Sequence, residues 1–346
     1  MTSVFLTHPP DPLEQYYGPR ALAALQAIAD VRFNPQAREL AIDELIAAAR
    51  DCDLMIGYRQ TLGSARLFVE LPRLAAFMRC AVDISTVDVA AASANGVLVT
   101  QASAGFVAAV SEWVMATMVA LGRGIVGHAE SYHQGGVATP AMGRELCGST
   151  IGIIGYGRIA QSVCRLASAF GMRVAVAAPE TIAARDGVRQ MALDDLLAES
   201  HFVVCLAVSN ERTRDLIDAA AFARMAPGAF FVNASRGDLV DEAALLAALD
   251  SGHLGGAALD VGRAPDQMPS PALARHPRVI ATPHIGGLTL PAIEHQSMET
   301  VSQVASLLRG EMPTGAVNAA QATRIRQWPA FAGARTAATS NSRRAR

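Results

Sequence analysis

Two residues, Arg236 and His284, follow predicted strands and could bind a carboxylate and transfer a proton. Arg236 lies in the run Asn-Ala-Ser-Arg-Gly that ends at Gly237. Its planar guanidinium could hold a carboxylate through two parallel hydrogen bonds, although a surface arginine closing a turn would look the same. His284 lies in Thr-Pro-His-Ile-Gly-Gly. A lone histidine is more often structural, but its position after the last strand favours the proton donor of a carbonyl reduction.

A glycine-rich turn predicts a dinucleotide site between a strand and a helix. The strand is Thr150 to Ile154, and the motif is Gly155-x-Gly157-x-x-Ala160. Gly155 permits the tight turn, Gly157 lets a pyrophosphate approach the backbone, and Ala160 allows close packing. The phosphates would then bind at the N-terminus of a helix predicted over Arg158 to Phe170.

Alternating strands and helices on both sides of this turn predict the elements that position these residues. The predicted fold class is α/β, with two Rossmann-like, doubly wound parallel-sheet domains and a cleft between them. Residues 1–102 and 288–320 would form a discontinuous substrate domain, and residues 103–287 the dinucleotide-binding domain. Residues 321–346 are predicted to be a flexible tail. The predicted strands after the glycine turn are Arg173–Ala177, Phe202–Leu206, Ala229–Asn233, Gly256–Asp260 and Val279–Thr282.

Composition limits the partners and the compartment. Of 346 residues, 51% are hydrophobic and 17% are charged, and the net charge of −2 gives no field that favours nucleic acid or an anionic membrane. We expect neither partner, although the basic end, Arg343 to Arg346, leaves nucleic-acid contact as a weak alternative to a frayed tail. Five scattered cysteines show no metal-site spacing, so we predict no metal and a reducing, cytoplasmic location.

One long apolar helix bears on membrane association and on oligomeric state. The window Val107 to Leu121 is interrupted by Ser111 and Glu112 and is shorter than a membrane span, which predicts a buried helix. The helix from Gly105 to Leu121 is apolar on nearly all faces, which indicates burial against more than its own domain. We therefore predict a homodimer.

Along the chain, the glycine turn comes first, the run with Arg236 second and the run with His284 third. With these three motifs in this order, the sequence resembles the D-isomer-specific 2-hydroxyacid dehydrogenase family, which includes phosphoglycerate dehydrogenase and glyoxylate-hydroxypyruvate reductase. The resemblance covers roughly residues 50 to 318 and is strongest between Gly148 and Gly287. Arg79 to Asp88 resembles the family's substrate-side loop, and Glu112 occupies the family's Ala-Glu position. The run from Gly237 to Leu245 also fits closely.

The resemblance implies hydride transfer between a nicotinamide and a small 2-oxo or 2-hydroxy acid. Arg236 would hold the substrate carboxylate, and His284 would give or take the hydroxyl proton. Backbone donors for that carboxylate would come from Val82, Asp83 and Ile84. The cofactor would be NAD, with NADP as a possible alternative. The residues assigned to the cofactor are Gly155, Tyr156, Gly157, Arg158, Ile159, Glu180, Val208, Ala234, Ser235, Arg236, Asp260 and His284.

The sequence departs from the family where a glutamate usually pairs with the catalytic histidine. The stretch after Leu259-Asp-Val is one residue short, and Ala264 or Pro265 stands where the acid is expected. Without a carboxylate, the pKa of the His284 imidazole should be lower and proton transfer weaker. Asp266 is the nearest substitute, although a solvated loop aspartate is an equally good interpretation.

Two further departures affect the cofactor. Ala178 occupies the position, about twenty residues after the glycines, where NAD-selective proteins carry an acid. Glu180 could reach the ribose and favour NAD, whereas Arg185 lies close enough in sequence to favour a 2′-phosphate. The strand that ends in Cys205-Leu206-Ala207-Val208 lacks the His and Pro that the family often carries there, and Leu206 and Val208 should make one wall of the cofactor site more apolar.

These departures leave a second function class open. Retention of both Arg236 and His284 favours a working NAD(P)-dependent dehydrogenase. The missing glutamate supports a nucleotide-sensing, corepressor-like binding protein on the same fold, with weak or no catalysis. A structural Rossmann protein without a ligand is disfavoured by the intact glycine turn. Arg59 lies in a predicted loop and could bind an acidic substrate, although an ordinary surface arginine is the more frequent case.

Overall fold

The computed structural model describes residues 1–183 and 187–331. The chain divides into two compact units. The first comprises Met1–Gly105 together with the chain from Leu290, and the second comprises Phe106–Thr289. Each unit contains one parallel sheet with helices, so the predicted α/β class with two parallel-sheet domains is confirmed.

The first unit contains a five-stranded sheet in the order β2-β1-β3-β4-β5. All of its pairings are parallel, and β1, β3 and β4 are buried along their whole length, as the apolar composition of internal parallel strands requires. The strands are β1 Ser3–Leu6, β2 Asp30–Phe33, β3 Leu54–Gly57, β4 Ala76–Arg79 and β5 Leu98–Gln101. The helices are α1 Pro10–Tyr16, α2 Pro19–Gln26, α3 Ile42–Ala49, α4 Ala65–Glu70 and α5 Val89–Ala94.

The second unit contains a seven-stranded parallel sheet in the order β12-β11-β10-β9-β6-β7-β8. Two apolar clusters cover its two faces, because alternate residues of each strand point to opposite sides. The strands are β6 Thr150–Ile154, β7 Arg173–Ala177, β8 Val188–Gln190, β9 Phe202–Cys205, β10 Phe230–Asn233, β11 Gly256–Leu259 and β12 Val279–Ala281. The helices are α6 Val107–Arg123, α7 Ile125–His133, α8 Arg158–Ala169, α9 Leu193–Glu199, α10 Ala219–Arg224, α11 Glu242–Asp250 and α12 Pro271–Ala274.

The last long helix, α13 Leu290–Leu308, belongs to the first unit. Its residues Val301, Val304 and Leu307 join the apolar cluster formed by β1, β3 and α2. Thr300 Oγ1 lies 3.1 Å from the Tyr17 hydroxyl, so buried polar groups on the helix are also paired. The helix thereby covers one face of the five-stranded sheet.

The predicted flexible tail is wrong for residues 321–331. Ala322 and Ile325 are fully buried, and Trp328 packs on the same cluster. Arg324 donates to the backbone oxygens of Leu71 at 2.6 Å, Leu74 at 2.9 Å and Phe68 at 2.9 Å, which satisfies carbonyls at the end of α4. Composition suggested disorder, but these contacts anchor the segment. Residues 332–346 lie outside the described part of the chain.

The helix α6 is covered by its own unit. Val114 and Met118 are fully buried in the cluster that includes β6 and α8, so part of the apolar surface that suggested a second subunit is buried within the unit. Among residues 1–183 and 187–331, no single helix has the length and hydropathy of a membrane span. The helices α6 and α7 pass that test only as a pair, bent by 70°.

Candidate functional site

The turn after β6 requires glycine at Gly155. Its φ is +93°, and a Cβ there would lie 2.8 Å from the Ala207 Cα. The Gly155 N–H donates to the Ala177 carbonyl at 2.8 Å, which ties the turn to the end of β7. Only glycine combines this backbone conformation with such close approach to the neighbouring chain.

The next glycine, Gly157, opens a cradle at the N-terminus of α8. Gly157 and Arg158 are exposed, and a Cβ at Gly157 would meet no described atom within 4 Å. Gly157 is the N-cap residue, and none of the described side chains caps the helix. The unpaired N–H groups of the first turn, with the helix dipole, therefore suit a phosphate group. Ala160 is fully buried and allows the helix to pack closely on the sheet.

Three candidate residues follow three adjacent strands of the same sheet. Arg236 comes after β10, Asp260 after β11 and His284 after β12, and these strands are neighbours in that order. All are parallel, so their carboxyl ends form one edge. This is the edge at which ligands bind in open α/β sheets. The glycine turn follows β6 at the same edge.

Asp260 holds the loop that carries His284. The Asp260 side chain is 4% exposed, and its Oδ1 accepts hydrogen bonds from the Thr282 hydroxyl at 2.6 Å and the Ile285 N–H at 2.8 Å. Its Oδ2 accepts from the Gly286 N–H at 2.7 Å. Between these anchors, His284 adopts a φ of +57°. The carboxylate thus stabilises a backbone conformation that a histidine rarely adopts.

Replacing Asp260 by asparagine is expected to lower the free energy of unfolding by about 3 kcal/mol, because an amide nitrogen would face backbone donors in a buried site. Chemical denaturation would measure the change. Asp250→Asn is the matched control, since that side chain is 67% exposed. Equal denaturation midpoints for the Asp260 variant and the unsubstituted protein would contradict the assigned role.

The segment around Arg236 is held by Asn233. The buried Asn233 side chain donates to the Arg236 carbonyl at 3.0 Å and accepts from the Ser235 N–H at 3.1 Å. Arg236 is half-buried, and its Nη1 donates to the Ser235 carbonyl at 2.8 Å. A Cβ at Gly237 would lie 2.2 Å from the Gly262 backbone, so the chain can pass there only as glycine. These contacts therefore fix the backbone position from which the Arg236 side chain extends.

The other predicted cofactor residues differ in exposure. Tyr156, Ile159, Ala234 and Ser235 are half-buried, whereas Glu180 is exposed and Val208 is 77% exposed. The turn that carries Glu180 is clamped by Gln190, whose side-chain amide donates to the Glu180 carbonyl at 2.8 Å. Arg185 and the Asp266 side chain lie outside the described part of the structure.

In the first unit, Arg79 organises the loops that follow β3 and β4. Its buried guanidinium donates to the carbonyl oxygens of Tyr58, Arg59 and Asp83, the last at 3.0 Å. Burial lowers the pKa of Arg79 to about 10. The Asp83 carboxylate accepts from the Ser85 N–H at 2.8 Å. Val82, Asp83 and Ile84, the predicted substrate residues, are half-buried on this loop.

His8 follows β1 at the same edge of the five-stranded sheet. Its ring lies 5.4 Å from that of Tyr17 and 5.1 Å from that of Tyr58, and it is 2% exposed. Burial, with a smaller contribution from the Arg79 charge, lowers the pKa of His8 from 6.5 to about 3. Sequence patterns missed this histidine, because a single residue after an apolar strand carries no signal.

The buried neutral His8 should make the protein acid-sensitive. Between pH 6.5 and about 3, the imidazole of His8 is uncharged in the folded state and protonated in the unfolded state. The contribution of the neutral, buried ring to the free energy of unfolding is therefore complete above pH 6.5 and is lost as the pH falls from 6.5 to about 3. The free energy of unfolding should fall by up to about 1.4 kcal/mol per pH unit in that window. His8→Phe keeps the ring packing and should show a shallower pH dependence in thermal denaturation. His133→Phe, at an exposed position, should retain the original slope. Equal slopes for all three proteins would contradict the assignment.

Comparisons with known proteins identify the family of this chain. Residues 115–286 match the family described as D-isomer specific 2-hydroxyacid dehydrogenase, NAD binding domain. The chain is 35% identical over 280 residues to D-3-phosphoglycerate dehydrogenase of Mycobacterium tuberculosis, covering 80% of this chain and 53% of that protein. The rat enzyme of the same name is 34% identical over 288 residues, covering 82% of this chain and 54% of the enzyme. The chain thus spans about half the length of these curated relatives.

Solved structures support the fold over most of the chain. The TT0316 protein from Thermus thermophilus superposes with a TM-score of 0.82 at 28% identity, covering 92% of this chain and all of that one. D-lactate dehydrogenase from Escherichia coli gives a TM-score of 0.80 at 24% identity over 92% of this chain and all of that one, which shows the fold alone. The second unit is therefore a dinucleotide-binding domain of the Rossmann class. The chain belongs to the D-isomer specific 2-hydroxyacid dehydrogenase family, and its cofactor is NAD.

Proposed function

We propose that the chain is an NAD-dependent oxidoreductase that interconverts a 2-oxo acid and a D-2-hydroxy acid. The observation that carries the proposal is the row formed by Arg236, Asp260 and His284 after three adjacent strands. The open cradle at Gly157 lies at the same edge of that sheet. Residues suited to bind a carboxylate, to donate a proton and to hold a phosphate follow strands at one edge of the sheet, which supports the proposal.

Each residue has a distinct role in the proposed reaction. NAD, when bound, would accept the hydride in oxidation, and NADH would donate it in reduction. The Arg236 guanidinium binds the substrate carboxylate and polarises the adjacent carbonyl. His284 donates a proton to the carbonyl oxygen in reduction and accepts it from the hydroxyl in oxidation. Asp260 acts as a positioning residue, since its hydrogen bonds go to the loop that carries His284.

The two units take separate roles in this proposal. The second unit is the dinucleotide-binding domain, and the first is the substrate domain. Val82, Asp83 and Ile84 of the first unit supply backbone donors to the substrate, as the family resemblance implies. Glu180 binds the adenosine ribose, and its exposure after β7 supports that role. The same role favours NAD over NADP, whose 2′-phosphate it would repel.

Oxidation of NADH and NADPH by the purified chain tests the function. The panel contains glyoxylate, hydroxypyruvate and phenylpyruvate, because the sequence does not name the side chain of the substrate. We expect turnover of at least one of these acids, with NADH preferred. Binding of NADH without turnover of any acid would contradict the enzymatic proposal and favour a nucleotide-sensing protein.

The absent glutamate is the observation that favours the second function, a corepressor-like nucleotide sensor. The loop from Gly262 to Met268 is closed by backbone bonds, from Gly262 N–H to the Gln267 carbonyl at 2.8 Å and from Ala264 N–H to the Met268 carbonyl at 3.0 Å. Ala264 or Pro265 occupies the position where the family carries the acid, and neither side chain has a carboxylate. The turnover assay separates the two functions.

The sequence offers Asp266 as a replacement for that glutamate. If it pairs with His284, Asp266→Asn should lower turnover more than tenfold, ~1.4 kcal/mol or more in activation free energy, because the protonated imidazole loses its partner. A pH–rate profile of kcat/KM is the measurement, with Asp250→Asn as the control. An unchanged profile in the Asp266 variant removes that residue from the mechanism.

We further propose a cytoplasmic homodimer. Exposed apolar side chains lie on and after α7, where Ile125 is 50%, Tyr132 61% and Val137 87% exposed. Such a surface suits a second copy of the chain. The five cysteines are scattered along the chain without paired or metal-site spacing, which suits a reducing compartment. Light scattering that gives the mass of a monomer would contradict the dimer, and cell fractionation tests the location.

A further inference from the structure

The chain that follows β7 is held by one side chain, Gln190. Gln190 is the last residue of β8 and pairs with Val176 near the end of β7. Its side-chain amide donates to the carbonyl oxygens of Ala178 at 3.2 Å and Glu180 at 2.8 Å. Its Oε1 accepts a hydrogen bond from the Ile182 N–H at 3.0 Å. One side chain therefore binds three backbone groups of the loop that follows β7.

The pattern of these bonds requires an amide at position 190. The loop presents two carbonyl acceptors and one N–H donor to Gln190. A neutral amide carries two N–H donors and one acceptor oxygen, so it can bind all three groups at once. A carboxylate would place its own oxygens against the two carbonyls, and an ammonium group could not accept from the N–H. Neither charged side chain could therefore hold the loop in the same way.

Further contacts fix the same loop at its start and from below. The Gly155 N–H donates to the Ala177 carbonyl at 2.8 Å, which ties the end of β7 to the glycine turn. Ala178 and Ile182 are half-buried and pack against one of the two apolar clusters of the second unit. Between them, Glu180 is exposed. The loop thus combines a fixed backbone with an acidic side chain that faces solvent.

This loop carries Glu180, the acid proposed to bind the adenosine ribose. Ala178 occupies the position directly after the strand, where NAD-selective proteins carry that acid. The hydrogen bonds of the sheet hold a residue at the end of a strand. Glu180 lies two residues further along the chain, where the pairing of β7 with β8 has ended. Its backbone therefore depends on the bond from Gln190.

We propose that Gln190 is a positioning residue for the choice of dinucleotide. It holds Glu180 where the carboxylate binds the ribose of NAD and repels the 2′-phosphate of NADP. A carboxylate on a fixed loop binds the ribose without the entropic cost of ordering that loop. A carboxylate on a mobile loop loses this advantage and moves away from a 2′-phosphate. The inference rests on the proposed role of Glu180, but it does not require turnover of a 2-oxo acid.

Dissociation constants of NADH and NADPH, measured by fluorescence titration without any 2-oxo acid, test the proposal. We expect the unsubstituted chain to bind NADH more tightly. Gln190→Met keeps the length of the side chain and removes the amide. It should lower the ratio of the NADPH to the NADH dissociation constant about tenfold, the effect expected for one charged hydrogen bond. Glu180→Gln should lower this ratio at least as far, and thermal denaturation checks that both variants are folded.

The double variant shows whether Gln190 acts through Glu180. Once the carboxylate is gone, the amide has no acid to position. The double variant Glu180→Gln, Gln190→Met should therefore have the same ratio as Glu180→Gln alone, which is a non-additive result. Arg189→Lys is the control, because Arg189 is the neighbouring residue on β8 and lysine keeps its charge. This variant should retain the original ratio.

The outcomes separate this inference from the proposed function. A lower ratio in Glu180→Gln but not in Gln190→Met would overturn the inference alone. An unchanged ratio in both, or no preference for NADH in the unsubstituted chain, would overturn it together with the role of Glu180. Additive effects in the double variant would show that Gln190 acts independently of Glu180, and would also overturn it. The expected ratios without turnover of any acid would support the inference and contradict only the enzymatic function.

Discussion

Replacing His284 by asparagine is expected to lower kcat for 2-oxo acid reduction by about 10²–10⁴-fold, because the substrate oxygen loses its proton donor. Asparagine is the informative substitution. His284 has a φ of +57°, and asparagine tolerates the left-handed conformation better than most residues. The loop held by Asp260 should therefore keep its backbone, so the loss would report chemistry rather than misfolding.

Steady-state kinetics and NADH binding by fluorescence measure this effect separately. We expect the dissociation constant of NADH to change little while kcat falls. His276→Asn is the control. His276 precedes β12, whereas His284 follows it, and the His276 ring nitrogen lies 3.4 Å from the Asp250 carboxylate. A kcat of the His284→Asn variant within a factor of about two of the original would contradict general acid catalysis by His284.

Replacing Arg236 by glutamine is expected to lower kcat/KM by about 10²–10⁴-fold. Two charged hydrogen bonds to the substrate carboxylate, each contributing about 1.5–3 kcal/mol, would be lost. Arg236→Lys should recover only part of the loss, since an ammonium group keeps the charge without the planar pair of donors. The Asn233 hydrogen bonds go to the backbone of the segment, so the turn itself should persist in both variants.

The substrate dependence of the rate separates binding from catalysis in these variants. We expect a raised KM in both, with a larger fall of kcat for glutamine than for lysine. Arg224→Gln is the control, since that arginine is exposed on α10 and lies 3.4 Å from Asp194. Full kcat/KM in the lysine variant would show that Arg236 does not hold the carboxylate through a pair of bonds.

The sequence predicted those parts of the fold that local constraints determine. The turn at Gly155 was predictable because its φ of +93° and its contact with Ala207 exclude other residues. The internal strands of both sheets were largely predictable as continuous apolar runs. The edge strands β2 and β8 were not, because one side of each is open and their sequences, DVRF and VRQ, lack an apolar run.

Contacts between residues distant in sequence account for what was missed. The position of Asp260 after β11 was predictable, but its three bonds to residues 282–286 depend on the pairing of β11 with β12. The anchoring of residues 321–331 rests on Arg324, whose acceptors lie about 250 residues earlier in the chain.

The most direct test of the proposed reaction follows the hydride into the product. NADH carrying deuterium in place of the transferred hydrogen would be incubated with the chain and the best 2-oxo acid of the panel. The product would be analysed by mass spectrometry after chiral chromatography. The account predicts a D-2-hydroxy acid that carries the deuterium at C2. A product of L configuration, a product without deuterium, or no product from any acid while NADH binds would contradict it.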